Sequence, residues 1–263
     1  MKKVNSEREK FLRKKRLNKI KILTLQISIL VVFLILWETL TYFRILDSFF
    51  VSSPSRIIKQ LMNTENLWMH IKITLLECIY GFLISATAGL VAAIILWCSD
   101  TLRKVLEPYI VVLNSLPKIA LGPLIIIWVG IGTKPIIVMT FLIYIIVAII
   151  GFLNGFLACD KNKILLLKSM GANKFQILYK LILPGSLTNI ISVLKVNVGL
   201  AWVGTIMGEY LVSGAGLGYL IIFGGQIFQL DLVMMSTVIL CLLAAVMYFA
   251  IALVEKFIKK RHG

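Results

Sequence analysis

Apolar residues run almost unbroken through six stretches of this chain, at about 22–42, 73–97, 105–130, 136–156, 187–211 and 233–254. A helix rises about 1.5 Å per residue, so about 20 such residues cross a hydrocarbon core of about 30 Å. Every stretch reaches that length, which predicts an all-α membrane protein with six transmembrane helices. The polar segments between them set the orientation. With the N-terminus inside, the inner segments hold 21 Lys and Arg residues and the outer ones 5. Both termini are therefore expected in the cytoplasm. The chain then divides into a basic tail (1–21), a first span with its outer loop (22–72), a five-helix core (73–254) and a second basic tail (255–263). Within the core, residues 157–186 form a cytoplasmic loop.

Three features break the apolar pattern inside the spans. Pro117 and Pro123 fall within "NSLPKIALGPLIIIWVG", and each removes a backbone donor and crowds the preceding turn, so the third span is expected to be kinked or broken. Such a break serves either packing or a pathway, and in the second case Asn114 and Ser115 are candidate lining residues. Small residues recur every four positions at Gly81, Ser85, Gly89 and Ala93, and Gly151 and Gly155 form a GxxxG. Both patterns let backbones approach closely, within one chain or between two copies. In the fifth stretch Thr188, Lys195, Trp202 and Glu209 are spaced by seven, with Ser192 and Gly199 on the same face. Charged groups in a span usually face a bundle interior or water, which makes this stripe the candidate lining of a solute path. The alternative is that Lys195 and Glu209 reach the two membrane surfaces instead.

Composition agrees with the pattern. Hydrophobic residues make up 59% and charged residues 15% of the 263, more apolar side chain than a soluble domain buries. The formal charge of +16 does not indicate nucleic acid, because ten of the basic residues crowd into the first 21 positions with no aromatic platform beyond Phe11. The first apolar stretch is too long for a signal h-region and no small-residue cleavage site follows it, so it is expected to be retained. Cys78, Cys98, Cys159 and Cys241 are widely spaced and suggest neither a disulfide framework nor a metal site. His70 and His262 are isolated, and no Walker lysine, HExxH or GxSxG occurs. The glycine-rich "SGAGLGYL" (213–220) lacks the strand and helix context of a phosphate loop and reads as a tight turn or re-entrant segment outside the cell. The chain is expected to have no catalytic residue, metal or cofactor of its own.

The loop at 157–186 divides at Gly171. Before it, "DKNKILLLKSM" suits a helix with Ile164, Leu167 and Met170 on one face. After it, Asn173 and Gln176 form a capping-box pair at the start of a second short helix that carries Lys174, and Phe175, Leu178 and Ile182 share its apolar face. Pro184 is then expected to open the fifth span. An amphipathic elbow of this kind suits either docking into a partner's groove or resting on anionic lipid.

"GANKFQILYKLILP" resembles the EAA loop of binding-protein-dependent ABC importer permeases, a pattern of Glu-Ala-Ala, three residues, Gly, nine residues and Ile-x-Leu-Pro. Gly171, Leu183 and Pro184 take their places in it and Leu181 stands for the isoleucine, whereas Leu165, Leu166 and Leu167 replace Glu-Ala-Ala. "SPSRII", "SLPKIALGPLIIIWVGIG" and "LKVNVGLAWVGTIMGEYLVSGAGLGYLI" are similar to the nitrate, sulfonate, taurine and bicarbonate branch of that family. The resemblance implies a homodimeric permease in the lipid bilayer of the bacterial cytoplasmic membrane, with an extracytoplasmic solute-binding protein outside. It also implies ATP-binding cassette ATPase subunits inside, which bind ATP and Mg in place of this chain. Residues 171–176, Leu178, Leu183 and Pro184 then become the contact with the ATPase. A secondary transporter or a non-transporting membrane scaffold is the alternative, and stoichiometric copurification of an ATPase separates the three.

Overall fold

The computed structural model describes the backbone of residues 2–262 and the side chains of residues 11–18 and 20–258. The side chains of residues 1–10 and 259–263, which belong to the two basic tails, lie outside the described residues. Every regular element among the described residues is helical. The helices are α1 (Lys2–Tyr42), α2 (Ser48–Val51), α3 (Pro54–Asn63), α4 (Leu67–Cys98), α5 (Asp100–Ser115), α6 (Gly122–Val129), α7 (Thr133–Leu157), α8 (Lys161–Ser169), α9 (Lys174–Ile177), α10 (Leu183–Val212), α11 (Leu217–Gln226) and α12 (Leu230–His262). Five helical runs are long and apolar enough to cross a membrane, and a sixth span results if one bent pair is counted as one.

That bent pair is the third stretch. Asp100–Ser115 and Lys118–Val129 meet at an angle of 82°. Pro117 makes the break, because the residue before a proline is pushed out of the helical region and Leu116 is extended there. Pro123 breaks nothing. It occupies the first turn of α6, where a missing N–H is tolerated.

The chain forms two compact units, residues 1–64 with 228–235 and residues 65–227 with 236–263. In the first, the "SPSR" sequence starts α3. Ser53 caps the helix by accepting the Arg56 N–H, and Pro54 follows in its first turn. The Glu38 carboxylate accepts the N–H and hydroxyl of Ser55 at 3.0 and 2.8 Å. Arg56 pairs with Asp231 at 2.7 Å, and Asp231 also accepts the Ser52 hydroxyl.

The second unit is built on α4, α7 and α10, and the small residues form its contacts. A Cβ at Gly81 would lie 2.6 Å from Thr140 Cγ2, and one at Gly89 would lie 2.7 Å from Ala148 Cβ. Ser85 and Ala93 continue that buried face of α4 against α7. On the other side of α7, Gly151 meets Val193, while the space at Gly155 is filled by Asn189, whose amide donates to the Gly151 carbonyl at 3.1 Å. Both small-residue patterns thus close helices within one chain. Between α7 and α10 the hydroxyls of Thr140 and Thr205 hydrogen-bond at 3.1 Å with neither side chain exposed.

Candidate functional site

Two features of the second unit stand apart from ordinary packing, an elbow at one end of its helices and a capped glycine loop at the other. In the elbow, Asp160 caps α8 by accepting the Asn162 N–H at 2.9 Å. The helix stops at a left-handed Gly171 with φ of 81°. Gly171 N–H donates to the Lys168 carbonyl and Ala172 N–H to the Leu167 carbonyl, both at 2.9 Å, the paired bonds of a Schellman ending. Asn173 then starts α9. Its side chain accepts the Gln176 N–H at 2.8 Å while Gln176 accepts the Asn173 N–H at 2.9 Å, so the capping box is complete. Lys174 Nζ donates to the Cys98 carbonyl at 3.3 Å, which ties the elbow to the end of α4.

Two details of this segment differ from the sequence reading. The helix after Asn173 is no separate piece, because α9 passes through a wide turn at Leu178–Ile182 directly into α10. Leu183 N–H reaches back five residues to the Leu178 carbonyl there. The following residue, Pro184, would crowd the carbonyl four positions back in a regular helix, and the widened turn gives it room. Pro184 is thus carried within one long helix. Ile177, Leu178 and Ile182 form the buried face there, and Phe175, expected on the same apolar face, points outward.

Of the other elbow positions, Asn173, Lys174, Gln176 and Pro184 are exposed and Ala172 and Leu183 are half-buried. Around them Leu165, Leu166, Met170, Phe175 and Tyr179 present an uncovered apolar surface. Beside the elbow lies an open groove of about 630 Å³, lined by residues including Lys163, Gly185, Asn189 and Ser192.

At the other end, Gly216–Tyr219 opens α11, and its free N–H groups are met by side chains from two other helices. Gly216 N–H donates to His70 Nδ1 at 2.9 Å, Leu217 N–H to Thr74 Oγ1 at 2.7 Å, and Gly218 N–H to Glu209 Oε2. The His70 ring also stacks on Tyr219 at 6.1 Å. Glycine is needed at both positions, because a Cβ at Gly216 or Gly218 would come within 2.5 or 2.7 Å of the Glu209 carboxyl group. Gly216 also has φ of 116°. His70, Thr74 and Glu77 form one face of α4 that the sequence reading did not assemble. Their spacing by three and four was the available signal.

The stripe on the fifth span divides along its length. Thr188 and Gly199 are exposed, Ser192 and Lys195 half-buried, and Trp202 and Glu209 buried. Residues seven apart fall about 20° short of two full turns, so the stripe drifts by about 60° over three heptads and turns from an open face into the bundle. Lys195 forms an ion pair with Glu255 of α12, with the Tyr248 ring 5.9 Å away, and Glu209 caps α11. Asn114 and Ser115 are exposed at the end of α5.

Long apolar helices, closely packed through small residues, define a multi-pass membrane component. Residues 85–261 match the family described as "Binding-protein-dependent transport system inner membrane component". The chain belongs to this family and is an ABC transporter permease of the inner membrane. A Haemophilus influenzae chain named "Probable ABC transporter permease protein" is 31% identical over 86% of this chain and 94% of its own. The taurine transport system permease protein TauC of Escherichia coli K12 is 25% identical over 91% and 90%. The fold is similar to a chain of the inward-facing MetNI methionine ABC transporter, with a TM-score of 0.65 and 20% identity over 74% of this chain and 99% of that one.

Proposed function

We propose that this permease is the membrane subunit of an ATP-driven importer, working as a pair of copies with two cytoplasmic ATP-binding subunits and an external solute-binding protein. The observation that carries this reading is the elbow itself. Its conformation is fixed by two local caps, its outer surface is apolar and uncovered, and its second arm is continuous with the long helix that bears Lys195 and Glu209. A push on Phe175 or Tyr179 is therefore a push on the whole of α10. ATP-driven closure of the partner subunits moves the elbow and reorients the bundle between inward and outward access. The solute is a small anion of the taurine, sulfonate or nitrate kind, in keeping with the taurine relative, and it passes along the open part of the α10 stripe.

Gly171→Val tests the elbow. No neighbouring atom lies within 4 Å of a Cβ built there, so the substitution acts only through the left-handed backbone, at a cost of about 1–2 kcal/mol. Membrane insertion is expected to stay intact while ATP-driven uptake is lost. Unchanged uptake in this variant contradicts the reading.

A further inference from the structure

The end of the second unit that bears the elbow also has a basic pocket, which the importer reading does not use. It has a volume of about 510 Å³ and opens where α4 ends, α5 begins and α7 gives way to α8. Arg103 of α5 and Lys161 and Lys168 of α8 line it, against a single carboxylate, Asp100. Lys161, Ile164, Leu165 and Lys168 follow the helical repeat, so one face of α8 is turned to the pocket. Arg103 donates to Asp100 at 2.9 Å through Nη2, and its Nε is buried with no hydrogen-bond partner among the described residues. Lys161 and Lys168 are exposed and belong to no ion pair among the described residues.

The pocket continues into apolar space. Arg103 and Leu157 also line a narrower cleft of about 140 Å³ between α5 and α7, with Ile110, Val111, Ile149 and Leu153 along it. From Arg103 to Val111 is about 12 Å of helix, so the cleft leads from the helix ends into the apolar part of the span. A further pocket of about 300 Å³ flanks α5 on the side of α4, with Ile95, Leu106, Tyr109 and Leu113 in its wall. Trp97 lines the basic pocket at the end of α4, the level at which aromatic side chains gather at a membrane surface. Basic pockets between membrane helices take anionic headgroups, and an adjoining apolar cleft suits an acyl chain, which a free anion lacks. Asp100 in the pocket and Glu107, one turn along α5 from Arg103, are acceptors for the hydroxyl groups of a glycerol headgroup.

We propose that this pocket binds an anionic phospholipid, its phosphate held by Arg103, Lys161 and Lys168 and an acyl chain lying in the cleft between α5 and α7. The inference goes beyond the importer reading and requires only that α5 and α7 lie in the bilayer.

The test is native mass spectrometry of the purified full-length chain in detergent, titrated with phosphatidylglycerol, with phosphatidylcholine of the same acyl chains, and with glycerol phosphate as the headgroup alone. Phosphatidylglycerol is expected to bind about tenfold more tightly than phosphatidylcholine, and equimolar glycerol phosphate is expected not to displace it. The preference is lost in the double variant Lys161→Gln/Lys168→Gln. It is kept in Lys104→Gln/Lys163→Gln, which removes the same charge from exposed positions outside the pocket. Equal binding of the two lipids overturns the proposal and leaves the pocket to a protein partner or a second copy. Displacement by glycerol phosphate also overturns it, in favour of a free-anion site. A preference that survives in Lys161→Gln/Lys168→Gln, or is lost equally in both double variants, overturns it as well, the latter pointing to unspecific surface charge. The unsubstituted protein alone supplies the lipid comparison and the displacement, so the outcome does not depend on a variant folding.

Discussion

Glu209 and the glycines that follow it explain one another. The carboxylate fills the space where side chains at positions 216 and 218 would begin, and the Gly218 N–H is what it binds. Gly218→Ala is therefore expected to destabilise the protein by about 1–3 kcal/mol, as an overpacked site does. Gly214→Ala, two residues before Gly216, meets nothing within 4 Å and is expected to leave the unfolding midpoint unchanged. A thermal unfolding comparison of the two variants checks the contrast. Sequence periodicity was enough to single out Lys195, Trp202 and Glu209, because their spacing lies on one helix. Their partners were not legible. Glu255 lies 60 positions after Lys195, and His70 and Thr74, which share the capping of α11 with Glu209, lie more than 130 before it; only tertiary packing brings those side chains together.

Among the elements, the elbow was the most legible and the helix after it the least. Caps are local, so Asn173, Gln176 and Gly171 announce themselves within a few residues, and the completed capping box and the left-handed Gly171 agree with that reading. Asn173→Ala is expected to cost about 1 kcal/mol of local helix stability. Faster amide hydrogen exchange at residues 174–178, with the core of α10 unaffected, would register it. The wide turn at Leu178–Ile182 left no such signal. A proline ordinarily marks a helix start, and Pro184 reads that way until the helix is seen to continue from Lys174. Of the two prolines in the third stretch only Pro117 breaks the helix, with an extended residue before it, whereas Pro123 sits in the first turn of α6. Pro123→Ala is accordingly expected to leave the 82° bend in place, and the distance between spin labels on α5 and α6 should match that of the unsubstituted protein.

At the level of the molecule, six apolar stretches were readable from length alone, and they correspond to five long helices and one bent pair. Close packing of α4, α7 and α10 through Gly81, Gly89, Gly151 and Gly155 assigns those small residues to the interior of one chain. The elbow presents an uncovered apolar surface, where Leu165 and Leu166 replace the Glu-Ala that the resemblance leads one to expect. If force enters the permease there, the ATP-binding subunit must touch these residues. Photo-crosslinkers placed singly at Leu166 and Phe175 in the membrane-inserted protein, expressed in its native cells, are expected to yield an adduct with an ATP-binding subunit. A crosslinker at the equally exposed Met62 of the first unit should give none. Adducts at Met62 with none at Leu166 or Phe175 would contradict the account.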